Sequence, residues 1–400
     1  MTSPLYYDNP GLLEFDATVL ATHDHDEHTD VVLDRTAFYP EGGSQPADHG
    51  VIAGHPVVDV QTNGGTITHV VHGTLPRHVI GTRVAAKVDA ARRRDYCQQH
   101  TGQHVLSGAF MAVGDYPTVS VHQGEDYTTI EIAAASIARA DLDAVEQRAH
   151  EVIEADMPVT ARWATDQTIG EFALRRPPKV SGSIRVIQIG GFDSVACGGL
   201  HLARTGQIRL VRLLSVETIR GNTRTAWKIG DRAVAHYQET SDIVAQLSTD
   251  LSARPSELSE RLERLDQRLK AAEIDNGRLR DRIYLLEART LLGNAELHRG
   301  VHVVTAEYSG ESKDFLRGVV ERLVASADVA ACLVNRMGTQ VQWCIGISAA
   351  SAVGFDAVRA ELLPIIDAKG GGRAPIWQGI GRRAAHAEAF LAAFQSIAVS

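Results

Sequence analysis

Gln99-His100-Thr101-Gly102-Gln103-His104-Val105-Leu106 is the stretch on which the reading of this chain turns. Tyr96, Val105, Leu106, Ala109 and Phe110 supply an apolar stripe around it, so the spacing predicts a helix running from Ala90 to Val113. At i and i+4, His100 and His104 leave one face of that helix about one turn apart. A divalent metal needs that geometry from a single helix. Two histidines at this spacing also arise by chance, so the question is whether the chain supplies further ligands.

It does so at Ser194-Val195-Ala196-Cys197-Gly198-Gly199-Leu200-His201-Leu202. Cys197 and His201 are again four apart, and the two glycines between them let the backbone approach an ion closely. His100, His104, Cys197 and His201 form two short bidentate units whose nitrogen and sulfur donors suit Zn2+. Cys97 shares the histidine face as a reserve ligand, although a packing role suits it better. The competing reading of all four is core histidines beside a buried cysteine.

Around these units the period of the sequence changes three times. Residues 1–88 hold short β-branched runs bounded by turn formers, such as Pro56-Val57-Val58-Asp59-Val60 and Thr66-Ile67-Thr68-His69-Val70-Val71, which predict a small β-barrel. His23, His25 and His28 lie in this part among acidic residues and read as a polar hairpin loop in preference to a metal site. Residues 89–235 mix helices with strands over 119–122, 127–132, 184–189 and 207–211, an α+β pattern without regular βαβ alternation. A helix over 141–156, with Asp141 as its N-cap, belongs to the same part. Residues 236–297 are a helical linker. In it Leu258, Leu262, Leu265, Leu269, Ala272, Asn276, Leu279, Ile283 and Leu286 are spaced 4,3,4,3 as a heptad seam, with Asn276 at an a position. The seam fits a homodimeric coiled coil or a hairpin within one chain, and Gly277 marks a place where the helix can break. Residues 298–400 form a small α/β module ending in Gly370-Gly371-Gly372-Arg373 and Trp377. That glycine-rich stretch reads as a structural turn or as a site for a phosphate and a base, but it matches neither a P-loop nor a dinucleotide fingerprint.

Composition bounds the function classes. The chain has 400 residues, 44% of them hydrophobic and 22% charged, and contains no run long enough for a membrane span. Four cysteines are too few and too scattered for a disulfide framework, and the N-terminus shows no secretory signal, so a cytoplasmic location is expected. A formal net charge of −9 argues against non-specific coating of nucleic acid. Local basic runs exist at Arg92-Arg93-Arg94 and at Arg204, Arg209, Arg212, Arg220, Arg224 and Lys228.

One further loop stands out: Phe38-Tyr39-Pro40-Glu41-Gly42-Gly43-Ser44-Gln45-Pro46-Ala47-Asp48-His49-Gly50. Adjacent glycines flanked by prolines make a tight loop whose N–H groups can meet an anion or a carbonyl. Taken with His100-Thr-Gly-Gln-His104, Cys197-Gly-Gly-Leu-His201 and the terminal glycine-rich module, it makes the chain resemble the alanyl-tRNA editing proteins of the AlaX family, in the long form. These are free-standing relatives of the editing and C-terminal domains of alanyl-tRNA synthetase. The resemblance implies a β-barrel, a two-layer α/β editing domain, a helical linker and a terminal α/β module. It implies Zn2+ on His100, His104, Cys197 and His201, and hydrolysis of tRNA(Ala) mischarged mainly with serine and also with glycine. The attacking group is a water, proposed as zinc-bound, and the metal's role is to activate that water, polarise the carbonyl or anchor the amino acid. Gly42, Gly43 and Gln45 are then expected to touch substrate, and Arg204, Arg212, Arg220 and Arg224 to contact tRNA. Two departures from the family pattern are Ser44, where a third glycine is usual, and Leu200, where many relatives have threonine.

An alanine pocket cannot strongly reject glycine or a side chain that adds only a hydroxyl, because each difference is worth about 1–3 kcal/mol. A second site must therefore remove the errors while sparing Ala-tRNA, which calls for a hydrogen bond to the serine hydroxyl. Thr118 and Ser120, on the strand after the histidine helix, are the candidates. No Ser/His/Asp order or nucleophile elbow is present, and Glu125 and Asp126 carry no mark of a general base. Two alternatives stand beside this reading. One is a non-catalytic, zinc-stabilised tRNA-binding or dimerisation protein. The other is editing of a different aminoacyl-tRNA, since the threonyl system shares the HxxxH/CxxxH arrangement.

Overall fold

A computed structural model describes residues 2–76, 79–351 and 353–400. The fold is mixed α+β and divides into two compact units, Met1–Asp250 and Leu251–Ser400. Among the described residues no helix is long and apolar enough to cross a membrane.

In the first unit six strands close on one another in the order Glu14–Asp24, His28–Leu33, Thr66–His72, His55–Asn63, Gly50–Ile52 and Arg83–Val88. Alternation sets their inner face: Thr29, Val31 and Leu33 point inward from one strand, Ile67, His69 and Val71 from another. His69 is the one imidazole among these inward residues. Its ring bonds the Val31 carbonyl through Nδ1 at 2.9 Å and the Thr36 hydroxyl through Nε2 at 2.8 Å. A carbonyl only accepts, so Nδ1 carries the proton and Nε2 accepts from Thr36. Burial pushes its pKa down to about 4, against a weaker upward pull from Val31. Between that value and the ordinary 6.5 the unfolded chain binds the extra proton, so the stabilisation is whole above pH 6.5 and is lost as pH falls through 4. Denaturant titrations are expected to show a loss on the order of 3 kcal/mol across that window, flattened in His69→Gln.

After the barrel, Asp89 caps the helix Ala90–Gly114 by accepting from the N–H groups of Ala91 and Arg92. This helix is buried on all sides from Tyr96 to Phe110, not amphipathic as its stripe predicts. Its buried amides find partners: the Gln98 amide donates to Gln207 O, and the Gln99 amide to Ile229 O. Gly102 lets the strand Asn222–Ile229 press close, since a Cβ there would lie 2.4 Å from Ile229 Cγ2. Around it lie an antiparallel sheet ordered Val211–Ile219, Asn222–Ile229, Thr128–Ile132, Thr118–Gln123, and a second of Val159–Ala164, Ile184–Ile189 and Asp193–Ala196.

Several local expectations are corrected. Thr205–Ile208 is a 3-10 turn and the strand begins at Val211, not Gln207. The second helix runs Arg139–Glu154, so Asp141 lies inside its first turn, where it accepts from the Tyr116 hydroxyl instead of capping. The Arg92–Arg94 run is not a basic face: Arg92 donates to Ala47 O, Arg93 is buried on Asp48 and Arg94 pairs with Asp231.

The second unit is a six-stranded sheet ordered Glu296–His298, Val301–Ser309, Val329–Met337, Gln340–Ile347, Ile376–Gly381, Ala368–Arg373. Helix Phe315–Ser326 and the end of helix Leu258–Gly293 (Tyr284, Ala288) build one core with it, and helix Ala387–Val399 joins the other. Cys332 and Cys344 are buried packing residues there. Helix Leu258–Gly293 continues through Gly277 without a break, and Leu262, Leu269, Leu279, Ile283 and Leu286 on its seam are exposed. Gly370–Arg373 is not a phosphate loop or a turn but part of an edge strand paired with Ile376–Gly381. Trp377 is not free for a base, because it stacks on Phe355 at 4.4 Å.

Candidate metal centre

Helix Ala90–Gly114 delivers His100 and His104, and the loop after strand Asp193–Ala196 delivers Cys197 and His201. One ligand atom from each lies within 4.8 Å of all the others. Cys197 Sγ stands 3.3 Å from His100 Nε2 and 3.5 Å from His201 Nε2. Tetrahedral Zn2+ with bonds of about 2.0–2.3 Å requires ligand edges of roughly 3.3–3.6 Å, so these two edges and the nitrogen and sulfur donors are of the kind that ion takes. Burial holds the imidazoles neutral: His100 is pushed down to about 3, and His104 and His201 lie well below the ordinary value. Their lone pairs are thus available at neutral pH. Burial raises the Cys197 thiol, while the Gly199 N–H and the Arg185, Arg176 and Arg175 guanidiniums favour its thiolate. His104 Nδ1 is buried without a hydrogen-bond partner among the described residues.

A supporting layer orients the rings. Gln45 Oε1 accepts from His100 Nδ1 at 2.9 Å and from the Leu200 N–H at 2.8 Å. An amide oxygen only accepts, so the proton sits on Nδ1 and Nε2 faces the cluster. Thr101 Oγ1 lies 3.3 Å from His201 Nδ1 and accepts from the Leu202 N–H, which ties that ring and its loop to the helix. The Arg185 guanidinium donates to Gly199 O at 2.6 Å and to Cys197 O at 3.2 Å, pinning the loop. Gln45, expected to touch substrate, is instead a buried support for a histidine. Cys97 is buried in the core and burial raises its thiol to about 12, as suits a packing residue.

The cluster opens on a cavity of about 420 Å³ whose lining includes Gly43, Ser44, Gln103, Thr118, Ser120, Arg175, Arg176 and Lys179. Gly42 and Gln45 pair their backbones in a two-residue hairpin with Gly43 and Ser44 both at positive φ, which places that tip at the cavity edge. Ser44, at φ 72, occupies a conformation that favours glycine. Thr118 donates to Ser107 Oγ at 2.9 Å, and the Gln103 amide donates to the same oxygen at 2.7 Å. Ser120 donates to Glu131. Glu125 and Asp126 do not line this cavity. The expected tRNA contacts lie elsewhere: Arg204 pairs with Asp156, Arg212 with Glu146 and Arg224 with Glu217, and neither these nor Arg220 line the cavity. Sequence reasoning missed Arg175, Arg176 and Lys179, for which the adjacent Arg175-Arg176-Pro177-Pro178-Lys179 run was the available signal.

Comparison with known proteins defines the class first. Residues 184–224 match the threonyl and alanyl tRNA synthetase second additional domain, and residues 11–92 match the class II (A) tRNA synthetases. The alanine–tRNA ligase of Pyrococcus abyssi is 32% identical over 94% of this chain and 42% of its own. That of Methanopyrus kandleri is 31% identical over 95% and 43%. The C-Ala domain of the Aquifex aeolicus alanyl-tRNA synthetase aligns with 26% of this chain and 96% of its own, at 18% identity and a TM-score of 0.24. Over nearly its whole length the chain is similar to alanine–tRNA ligases, and within it residues 184–224 match the second additional domain of threonyl and alanyl tRNA synthetases. It spans less than half the length of the ligases it matches.

Proposed function

We propose that this protein deacylates mischarged tRNA(Ala), mainly Ser-tRNA(Ala) and also Gly-tRNA(Ala), by hydrolysing the ester to the terminal ribose. The observation that carries the reading is the His100/His104/Cys197/His201 cluster opening on a small cavity that Thr118 lines. The chemistry Zn2+ supplies in such a site is Lewis acidity toward an ester carbonyl or a water. The chain's own residues hold and discriminate. Thr118 spends its proton on Ser107, so its lone pairs are free to accept from a serine hydroxyl. Ser120 is placed in the same way by Glu131. An alanine ester offers no such donor, which gives a reason for Ala-tRNA to survive. The Gly43–Ser44 tip closes one side of the cavity. Arg204, Arg212, Arg220 and Arg224 remain candidate contacts for phosphates farther along the tRNA. The exposed seam of helix Leu258–Gly293 supports pairing with a second copy, with Asn276 setting register.

A second reading has one observation in its favour: four protein ligands make a closed site of the structural kind. Chelation separates the two. Under the deacylase reading, chelator-treated protein and His104→Ala keep their circular dichroism and lose Ser-tRNA(Ala) hydrolysis by about 100-fold or more, a loss appropriate to removal of metal catalysis. A panel of Ser-, Gly-, Ala- and Thr-charged tRNAs then reports the preference. Metal-free His104→Ala protein that turns over Ser-tRNA(Ala) at the native rate would refute the metal's role. Joint loss of fold and tRNA binding, from a native protein with no activity, would favour the structural reading.

A further inference from the structure

Beside the cluster's cavity lies a second one of about 360 Å³, and the two share a border made of Arg176, Lys179, Ala196, Cys197 and Gly198. The far side of the second cavity is aromatic and apolar: Trp163, Tyr7 and Val180 line it. Trp163 stands on the edge strand Val159–Ala164 with 57% of its surface exposed, steadied by an edge-on contact to Tyr7 at 5.7 Å. Among the described residues no aspartate or glutamate lines either cavity. Among them too, Arg176 and Lys179 have no carboxylate partner, whereas Arg175 beside them pairs with Asp193 at 3.2 Å, as Arg204, Arg212 and Arg224 pair with theirs. Two free cations therefore stand between a cavity of ester size and an exposed indole face.

Single-stranded nucleic acid is recognised by that combination, cations for the backbone and an aromatic face for a base. We propose that the groove from Cys197 across Arg176 and Lys179 to Trp163 receives the single-stranded 3′ end of tRNA. The aminoacyl ester lies at the cluster, a terminal phosphate at Arg176 and Lys179, and a base stacks on Trp163. The placement of the ester rests on the deacylase reading, whereas the RNA contacts stand on charge and exposure alone. These residues position substrate and take no part in the chemistry.

The test uses the full chain and two probes. The first is the uncharged RNA tetranucleotide ACCA, titrated by anisotropy. Native protein is expected to bind it with an affinity that Trp163→Ala and the double variant Arg176→Ala/Lys179→Ala each lower about tenfold or more. The double variant should also show a shallower salt dependence, by about 0.7 for each phosphate it no longer neutralises. Arg176→Lys/Lys179→Arg should restore binding. The second probe is seryl ester in two forms, Ser-tRNA(Ala) and phosphate-free 3′-O-seryladenosine. For the double variant the ratio of KM for the first to KM for the second should rise about tenfold or more. Tetranucleotide binding that is absent from native protein, or unchanged in the variants, overturns the groove. Native protein that binds the tetranucleotide as described but hydrolyses neither ester overturns the deacylase reading and leaves the RNA groove standing.

Discussion

Gly199→Ala is expected to weaken Zn2+ binding by about 10–100-fold, the usual cost of disturbing the groups that orient a metal ligand. A Cβ at this position would lie 2.1 Å from His100 Cε1, 2.4 Å from its Nδ1 and 2.8 Å from Gln45 Oε1. None of these atoms is the free end of a flexible chain. The imidazole is locked between the helix and Gln45, and Gln45 is itself held by Leu200. The methyl must push the ring off its line or break the Gln45 hydrogen bond, and either change misdirects Nε2. Gly198→Ala is the matched control, because its Cβ would meet only the Tyr7 hydroxyl at 3.7 Å, an ordinary contact. Competition against a chromophoric chelator measures both variants. Gly199→Ala protein that holds metal as tightly as Gly198→Ala would show that His100 is not a ligand.

The second large effect is predicted for Asp48→Ala. Asp48 and Arg93 are 3% and 4% exposed, and the guanidinium donates to both carboxylate oxygens and to the carbonyls of Pro10 and Ala37. The carboxylate also accepts from the Tyr39 N–H at 2.6 Å. Removing it leaves a buried cation without its counter-charge, which costs about 3–5 kcal/mol. For a unit of this size that lowers Tm by roughly 6–20 °C. The paired change Asp48→Leu/Arg93→Met should cost much less, since no charge is then stranded. The ion pair joins the Gly43–Gly50 loop to the histidine helix, and Gln45 sits on that same loop. Asp48→Ala is therefore also expected to loosen the His100 support, visible as reduced metal stoichiometry at temperatures well below Tm. A thermal scan of the two variants side by side decides whether the ion pair or the volume of the side chains matters.

The four residues of the cluster were legible because two pairs at i, i+4 spacing are a local pattern, and local patterns survive in one dimension. The long helix Leu258–Gly293 was legible for the same reason. The helix register, the hairpin at 123–127 and the strands Ile184–Ile189 and Val329–Met337 followed from periodicity and turn residues. Periodicity failed where a neighbour overrode it. The strand expected at 207–211 gives way to a 3-10 turn, in which Gln207 accepts from the N–H groups of Ala203 and Arg204. Gly370–Gly372 read as a structural turn or a phosphate site, yet its glycines serve close backbone approach: a Cβ on Gly370 would lie 2.3 Å from Gln378 O.

The sequence by itself determined which side chains are candidates for the chemistry: three imidazoles, one thiol and the hydroxyls of Thr118 and Ser120. It also determined the order of the elements that bear them. Only the tertiary structure decided what stands around those groups. Gln45, 55 residues from His100, fixes that ring's proton. Arg175, Arg176 and Lys179 arrive from a loop that no period marks. Arg204, Arg212 and Arg224 look free in the sequence and prove to be paired. Donor chemistry is a property of a residue and is written in the chain. Hydrogen-bond direction, charge pairing and exposure are properties of separations between distant residues, and those come into existence only when the chain folds.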